Sequence, residues 1–302
     1  MTIPGLERHV SALNAKGRAI ALRNGHAFVR NGWRVAPFGP VCWDYGLPNG
    51  DASALLRQLG GLWLQWTEGF EPKLGGLKED HQCGDGWYAV ICRRHTLLED
   101  AKSGNTRSKL RRAIKNCDVR KVPAREIAEN GFETYCAAFS RYRGWSGDLP
   151  TKERFKNSVL SDSPFDDIRH QWAVYVGDRM VGFAQVLAWG RLEADYTLIK
   201  LDPDYLKFYS GYALIYRMNE YYLFENGFRY VSDGFRSVLH ETAVQDFLIT
   251  KFGFERAYTR LNVRYRFPLG GVISAARPFR KWISRVYPGA AALMELDRLR
   301  VR

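Results

Sequence analysis

The chain has 302 residues, of which 46% are hydrophobic and 25% charged, and its formal net charge is +13. This length exceeds one ordinary hydrophobic core and predicts two domains, while the composition excludes disorder over most of the chain. No apolar run approaches the roughly 20 residues that a membrane-spanning helix needs, which excludes an integral membrane protein. The positive charge favours an anionic partner, although a solvated basic face is an equally good interpretation.

The first hundred residues predict a hairpin, a helix and a strand. Alternating residues flank Asn31-Gly32, a dipeptide that favours a type I′ turn. Apolar residues at helical spacing predict a helix from Leu55 to Trp66, with Asp51 or Ser53 as its cap. A strand is predicted at 87–93. We expect these elements to form a reduced copy of the second half of the chain.

A basic segment follows at 102–125. Residues 97–116 are predicted to be mostly helical, with an interruption or restart at Ser103-Gly104-Asn105. Arg107 and Arg111 lie four residues apart on one face of this helix. Their guanidinium groups are therefore expected to bind a phosphate or carboxylate of the substrate.

The order of the remaining elements decides the fold class. They are a strand at 117–123, helices at 125–141 and 151–160, a hairpin at 170–190 turning at Gly177-Asp178, a strand at 191–202, a helix from 210, a strand at 228–234, a helix at 242–251 and a strand at 254–267. This order predicts a mixed α/β sheet, in which a ligand lies where strand ends splay apart.

The helix within 207–228 begins on small residues directly after a strand. Exposed N–H groups at a helix start, together with the helix dipole, form an anion site. Gly211 lacks a Cβ and Ala213 is small, which leaves room for a phosphate. The alternative is that Gly211 only permits close packing of the helix on the sheet.

Three local patterns resemble the GNAT acyltransferase family. The segment "TLIKLDPDY" leads into "FYSGYAL", which is similar to the family's pyrophosphate loop, and "YVSDGFR" and "FLITKFGFERAY" are similar to its later strand and closing helix and strand. The resemblance implies that the pyrophosphate of an acyl-CoA is bound at the helix start. The residues that would bind it are Lys207, Ser210, Gly211, Tyr212 and Ala213.

Two positions depart from the family pattern. Phe208 occupies the Arg or Gln position of the loop, and Ile249 replaces the tyrosine that donates a proton to the leaving thiolate in many acetyltransferases. The FemAB-like and CelD-like branch, which resembles two GNAT units in tandem, shares these departures. Its aminoacyltransferases move an amino acid from aminoacyl-tRNA to a cell-wall precursor.

The FemAB-like resemblance extends from about residue 30 to 266. The basic helix matches the branch pattern R-x-x-[IL]-R-x-A with Arg107, Leu110, Arg111 and Ala113. "WRVAPFGPVCWDYG" resembles the "rGPv" strand of the first unit, and "ITKFGF" places Lys251 at the lysine of the closing motif. The coiled-coil arm with which several of these enzymes engage tRNA is absent.

Acyl transfer to an amine needs a proton acceptor and a stabilised oxyanion. Glu193 and Asp195 share one face of their strand with Arg191, so either carboxylate is a candidate base. Lys251 is a candidate for binding a phosphate or the oxyanion, and Asp233 for orienting the acceptor. The alternatives are that the carboxylates pair with arginines, that Lys251 is an ordinary surface lysine and that Asp233 caps a turn.

Three segments are expected: a reduced GNAT-like unit with its basic connecting helix at 1–116, a GNAT acyltransferase domain at 117–268 and a basic amphipathic tail at 269–302. In the tail Ile273, Phe279 and Trp282 lie among arginines, which suits either an anionic membrane surface or packing on the second domain.

The five cysteines form no CxxC pair or metal-ligand pattern, and no signal sequence is visible, so we expect a cytoplasmic protein without a metal. Peripheral contact with the inner face of the membrane is a further option that the basic tail leaves open.

The sequence thus predicts an N-acyltransferase that moves an acyl or aminoacyl group to an amine by direct attack. The donor would be acyl-CoA, acyl-carrier protein or aminoacyl-tRNA. A noncatalytic GNAT-fold module that binds RNA or anionic lipid through its basic surface is the alternative.

Overall fold

A computed structural model describes residues 2–70, 86–101, 103–140, 148–237 and 243–300. The chain divides into two compact units. The first comprises Met1–Val90, Phe235–Gln245 and Arg256–Arg302, and the second comprises Ile91–Gly234 and Asp246–Glu255. The basic helix is therefore part of the second unit and the C-terminal tail part of the first. The predicted division into 1–116, 117–268 and 269–302 stays a prediction.

The elements up to residue 92 are α1 Leu6–Ala15, β1 Ile20–Arg23, β2 His26–Asn31, β3 Arg34–Phe38, α2 Asn49–Leu59, β4 Trp63–Glu68 and β5 Trp87–Cys92. They are followed by α3 Gly104–Asn116, β6 Asp118–Val122, α4 Ala124–Asn130, α5 Phe132–Ser140, α6 Lys152–Leu160, β7 Arg169–Val176, β8 Arg179–Trp189 and β9 Glu193–Leu201. The last elements are α7 Ser210–Asn219, β10 Tyr230–Phe235, α8 Ala243–Phe252, β11 Glu255–Tyr265, α9 Leu269–Ala276, α10 Arg280–Val286 and α11 Pro288–Leu299. None of the helices in the described ranges is long and apolar enough to cross a membrane.

Both units contain the same succession of elements. In the first unit the antiparallel strands β1, β2 and β3 are followed by α2 and by β4, which pairs parallel to β3. In the second unit the antiparallel strands β7, β8 and β9 are followed by α7 and by β10, which pairs parallel to β9. The mixed α/β fold with a reduced first copy is therefore observed, as predicted.

Helix α2 differs from its predicted bounds. It ends at Leu59, and Gly60 follows in the left-handed conformation at φ 68°. The predicted helix from Leu55 to Trp66 was wrong because Trp66 belongs to β4. Asp51 lies inside the helix, which begins at Asn49 without a side-chain cap.

The first hairpins also differ from expectation. Asn31 pairs with Arg34, so the central turn residues are Gly32 and Trp33, and only Gly32 has a positive φ. A type I′ turn needs a positive φ at both positions, so that prediction was wrong. Asn24 and Gly25, at φ 52° and 75°, meet the requirement between β1 and β2.

Two helices were predicted with bounds that the structure changes. The helix expected at 125–141 is divided at Gly131, where an added Cβ would lie 2.7 Å from the carbonyl oxygen of Ile127. Arg141 and Thr242, the expected ends of two helices, lie outside the described residues. Helix α3 begins after Ser103, whose hydroxyl accepts from the amide of Thr106. Residues 97–101 are not helical, so the helix starts at Gly104 instead of restarting there, and the helical stretch expected before it was wrong.

The core of the second unit covers both faces of its sheet. On one face α4–α6 pack against the cluster that includes Phe155, Ala173 and Phe183. On the other face the buried Tyr222 hydroxyl, after α7, accepts from Nε1 of Trp172 at 3.0 Å and contacts Nδ1 of His170 at 2.8 Å. These contacts hold α7 on the sheet and thereby position its amino end.

Candidate functional site

The amino end of α7 carries backbone N–H groups that have no acceptor. Tyr209, at φ 62°, precedes the helix and supplies no side-chain cap. Its carbonyl accepts the first helical bond, from the amide of Ala213 at 3.1 Å. Within the described ranges no acceptor is found for the amides of Ser210, Gly211 and Tyr212. Such groups, together with the helix dipole, bind anions at helix starts.

Ser210 and Gly211 allow the helix start to approach the sheet. Ser210 is fully buried, and its Oγ has no hydrogen-bond partner. A Cβ on Gly211 would lie 3.1 Å from Cδ1 of Leu201 on β9. Close packing therefore accounts for the glycine, as the alternative interpretation of the sequence expected. It does not exclude an anion at the N–H groups, which point along the helix axis.

Two cations of α3 lie against the aromatic residues that flank this helix start. Arg112 donates from Nη1 to the Tyr209 hydroxyl at 3.1 Å, and its guanidinium carbon is 4.9 Å from the ring centroid. The Lys109 Nζ is 5.9 Å from the centroid of Tyr212. The basic helix and the α7 start are therefore neighbours within one unit, as a phosphate site requires.

The predicted pair Arg107 and Arg111 is turned away from this position. On an α-helix both lie roughly half a turn from Lys109. Arg107 donates from Nη2 to the carbonyl of Glu99 at 2.8 Å, and Arg111 is exposed. The structure thus brings Arg112, which the sequence places on the neighbouring face of the helix, and Lys109, which the sequence pattern did not single out, to the start of α7.

Glu193 and Asp195 form a hydrogen-bonded cluster with two hydroxyl groups of β10. The parallel register pairs Tyr230 with Glu193 and Ser232 with Asp195. The Tyr230 hydroxyl donates to Oε2 of Glu193 at 2.5 Å. Oγ of Ser232 is 2.7 Å from Oε1 of Glu193 and 2.9 Å from Oδ1 of Asp195. Arg191, expected on this face, is exposed.

A single hydroxyl hydrogen cannot serve both carboxylates. Ser232 donates to one of the two oxygens, so the other short contact needs a hydrogen on a carboxyl group. Burial raises the pKa of Asp195 to about 6, and the Ser232 bond lowers it only in part. The cluster can therefore hold a proton in mildly acidic solution and release it near neutral pH.

The strands diverge beyond this cluster. The register of β9 with β10 covers only three pairs and ends at Ser232 and Asp195, while β9 continues to Leu201. Six residues of β9 therefore have no partner in β10. They span about 20 Å between the carboxylates and the strand end that leads to α7. A bulge opposite Gln185 and Val186 interrupts the pairing of β8 with β9 in this stretch.

The other predicted site residues lie in three different parts of the fold, with Asp233 on β10, Lys251 in α8 and Lys207 in the segment before α7. Asp233 follows Ser232 on β10, so its side chain is on the opposite face of the sheet. It lies near Tyr196, whose pKa is raised by burial and, to a smaller degree, by Asp233. Lys251 is half-buried in the last turn of α8, and Lys207 is exposed beside the Phe208 ring.

Sequence analysis missed Tyr230 and Ser232. The only signal for them is their spacing in "YVSDG", which places both on one face of β10.

Comparison with solved structures gives matches over most of the chain. The C-terminal DUF2156 domain of a protein described as a lysylphosphatidylglycerol synthetase from Agrobacterium fabrum matches with a TM-score of 0.52 and 11% identity, over 90% of this chain and 90% of that chain. FemX matches with a TM-score of 0.53 and 11% identity, over 88% of this chain and 93% of that chain. No family model and no curated protein matches the sequence. At this identity the likeness concerns the fold alone.

Three antiparallel strands, a helix and a parallel strand occur twice, and the second copy carries the helix start and the carboxylates. The resemblance expected from the motifs is therefore confirmed at the level of the fold, which this chain shares with FemX and with the DUF2156 domain.

Proposed function

We propose that the second unit is an acyltransferase that moves an acyl or aminoacyl group from an anionic carrier to an amine. The observation that carries this proposal is the Glu193, Asp195 and Ser232 cluster at the point where β9 and β10 diverge. It provides a proton acceptor beside an unpaired strand edge, and that edge leads to a helix start with free N–H groups.

The carrier would be bound at two places. Its phosphate groups suit the amides at the start of α7, with Ser210 Oγ, Lys109 and Arg112 around them. Its extended arm would follow the unpaired edge of β9, whose length of about 20 Å separates the phosphates from the carboxylates. Acyl-CoA and acyl-carrier protein both have a phosphate and a long arm, so the residues present fit either donor. Aminoacyl-tRNA also has phosphates, but it has no arm of this kind that would follow the edge of β9.

The chemistry would be direct attack. The amine nitrogen bonds to the acyl carbonyl carbon, and the bond from that carbon to the sulfur or oxygen of the carrier breaks. Asp195 accepts a proton from the amine and returns it to the leaving sulfur or oxygen, which balances the transfer. This route does not need the tyrosine that Ile249 replaces. Tyr230 holds Glu193 in place by a hydrogen bond, and the contact of Glu193 with Ser232 keeps Ser232 beside Asp195.

The proposed function is tested by supplying the purified protein with radiolabelled acyl-CoA, acyl-carrier protein and charged tRNA, each with a mixture of amines. We expect transfer from one class of donor and a carrier of that class to co-purify in native mass spectrometry. Absence of transfer from all three would contradict the proposal. RNA binding that weakens steeply with salt, without turnover, would instead favour the noncatalytic module.

Donor binding should distinguish the two faces of α3. Replacing both Lys109 and Arg112 by Ala removes the cations beside the start of α7, so we expect the dissociation constant for the donor to rise at least about tenfold. The matched control is the replacement of Arg107 and Arg111, which removes the same charge from the far face of the same helix. Calorimetric titration with the active donor measures both, and equal losses would argue for long-range electrostatics rather than a site at α7.

Gly211 is a poor position for this test. A side chain there would first press on Leu201, which lies 3.1 Å from the added Cβ. A loss of binding in Gly211→Trp would therefore not distinguish a filled site from a displaced helix.

The C-terminal helices favour contact with an anionic membrane surface. Phe279 and Trp282 are 63% and 64% exposed, and Arg285 is exposed close to them. Aromatic and basic side chains together suit the interface of an anionic bilayer. The acidic residues Glu295 and Asp297 pair with four arginines of this region, so the basic character of the tail is partly neutralised internally.

We expect the protein to sediment with vesicles that contain phosphatidylserine and not with vesicles of phosphatidylcholine alone. Replacing both Phe279 and Trp282 by Ser should abolish that binding, because the aromatic anchors are lost. Trp33→Ser, a change of an equally exposed tryptophan in a hairpin turn, is the control. If the Phe279 and Trp282 double variant bound the vesicles as well as the wild-type protein does, the tail would not be the membrane contact.

A further inference from the structure

A cavity lies within the first unit, apart from the candidate acyltransfer site. It has a volume of about 140 Å³ and is lined by residues of β3 and β4, by the loop after β3 and by three apolar side chains. None of these residues belongs to the candidate acyltransfer site. Cavities of this size are usually empty only when their walls are apolar. The walls here are not.

Two buried polar atoms and one partly buried guanidinium line the cavity without a partner among the described residues. Oε1 of Gln65 and Nε1 of Trp87 are buried and make no hydrogen bond. The side chain of Arg34 makes no hydrogen bond or ion pair in the part of the chain that the structure describes, and partial burial lowers its pKa. Buried polar groups are nearly always paired, and each unpaired one costs about 1–3 kcal/mol. Two such atoms and a guanidinium without a partner, around one cavity, indicate a ligand that pairs with all three groups.

The strand register places two of these groups on one face. Arg34 of β3 pairs with Trp63 of the neighbouring strand β4, and Gln65 follows Trp63 by two residues, so Arg34 and Gln65 share one face of the sheet. Their Cα atoms are therefore about 8 Å apart, which suits the two ends of a small molecule. Leu261 of β11 lies on the same face, because it pairs with Thr67.

The remaining walls set the shape of the cavity. Trp87 and Phe235 stack with ring centroids 5.6 Å apart and an interplanar angle of 21°. The Tyr45 hydroxyl donates to the carbonyl of Pro40 at 3.1 Å and is therefore already paired. A Cβ on Gly39 would collide with that hydroxyl, so the glycine is required for this wall. The cavity therefore combines a flat apolar wall, which carries the N–H donor of Trp87, with a cation and an amide acceptor.

We infer that this cavity binds a small organic carboxylate that carries an amino or hydroxyl group. The guanidinium of Arg34 and the indole N–H of Trp87 would both donate to the carboxylate. Oε1 of Gln65 would accept from the amino or hydroxyl group. The volume limits the ligand to about six non-hydrogen atoms, the size of a simple amino or hydroxy acid. This inference is independent of the proposed acyltransfer.

The indole N–H of Trp87 allows a direct test. Its resonance in a ¹⁵N-labelled sample is identified by its absence in Trp87→Phe, and the resonance of Trp189, in the second unit, is the internal reference. Glycine and glycolate should shift the Trp87 signal in a saturable manner. Acetate, which leaves Gln65 unpaired, should bind about tenfold more weakly. Absence of a shift with every carboxylate, or tighter binding of inorganic phosphate than of glycolate, would overturn the assignment.

Variants of the polar groups complete the test. Arg34→Gln should weaken glycolate at least about tenfold, whereas Arg57→Gln, on the exposed face of α2, should leave the affinity unchanged. If Arg34→Gln does not retain a dispersed spectrum, Gln65→Glu replaces it, because the added negative charge opposes an anion at nearly constant side-chain size. Wild-type affinity in a folded form of either variant would contradict the inference.

Discussion

Asp195→Asn is expected to lower the transfer rate by about 100- to 10,000-fold, the usual contribution of a positioned acid or base. The amide keeps the size of the side chain and a bond to Ser232, so the loss would report the proton acceptor rather than the packing. A single-turnover measurement with the active donor separates this loss from donor binding, which should change little because the proposed phosphate site is at the far end of β9.

The pH dependence gives an independent check. Burial raises the pKa of Asp195 to about 6, so the carboxyl group is protonated below that value and cannot accept a proton. The wild-type rate should therefore rise as the pH passes 6 and level off above it. The residual rate of Asp195→Asn should lack this step.

The control for Asp195→Asn is Asp178→Asn. Asp178 is exposed in the turn between β7 and β8, so its loss should leave both the rate and the pH profile unchanged. An Asp195→Asn protein that keeps more than about a tenth of the wild-type rate would assign the proton acceptor to another group.

The sequence alone predicted that Glu193 and Asp195 share one face of their strand, because a strand places residues two apart on the same side. It did not identify Ser232 and Tyr230, since their contact depends on the register of two strands nearly forty residues apart. Patterns within one strand do not encode its register with a strand that follows it after a long connection, here one that contains α7.

The choice of cations on α3 was limited in the same way. The pattern of the basic helix selects Arg107 and Arg111, which share a face, but periodicity does not state which face meets α7. That face is decided by the buried side chains of Thr106, Leu110 and Ala113, which rotate Lys109 and Arg112 toward the aromatic residues. Packing therefore selected a different pair of cations from the one that the motif predicted.

Asp162→Ala is expected to destabilise the second unit by about 3–5 kcal/mol, since it leaves a buried guanidinium without its partner. Oδ1 of Asp162 is 3.3 Å from Nη1 of Arg169, and both side chains are buried, with 5% and 8% exposure. Gln185 donates from Nε2 to Oδ2 of Asp162 at 2.9 Å. The carboxylate thus joins the end of α6 to β7 and β8. Urea unfolding followed by tryptophan fluorescence measures the loss as a lower midpoint.

Two further proteins determine whether the unpaired charge is the cause. Removing both partners, in Asp162→Ala with Arg169→Met, should recover part of the lost stability, because no buried charge remains without a partner. Glu129→Ala breaks the exposed pair with Arg125, which has a shorter distance of 2.7 Å, and should leave the midpoint unchanged. If the double variant were no more stable than Asp162→Ala, the loss would arise from the cavity left by the side chain. Burial, rather than the length of the contact, is therefore the property that should decide which ion pair matters.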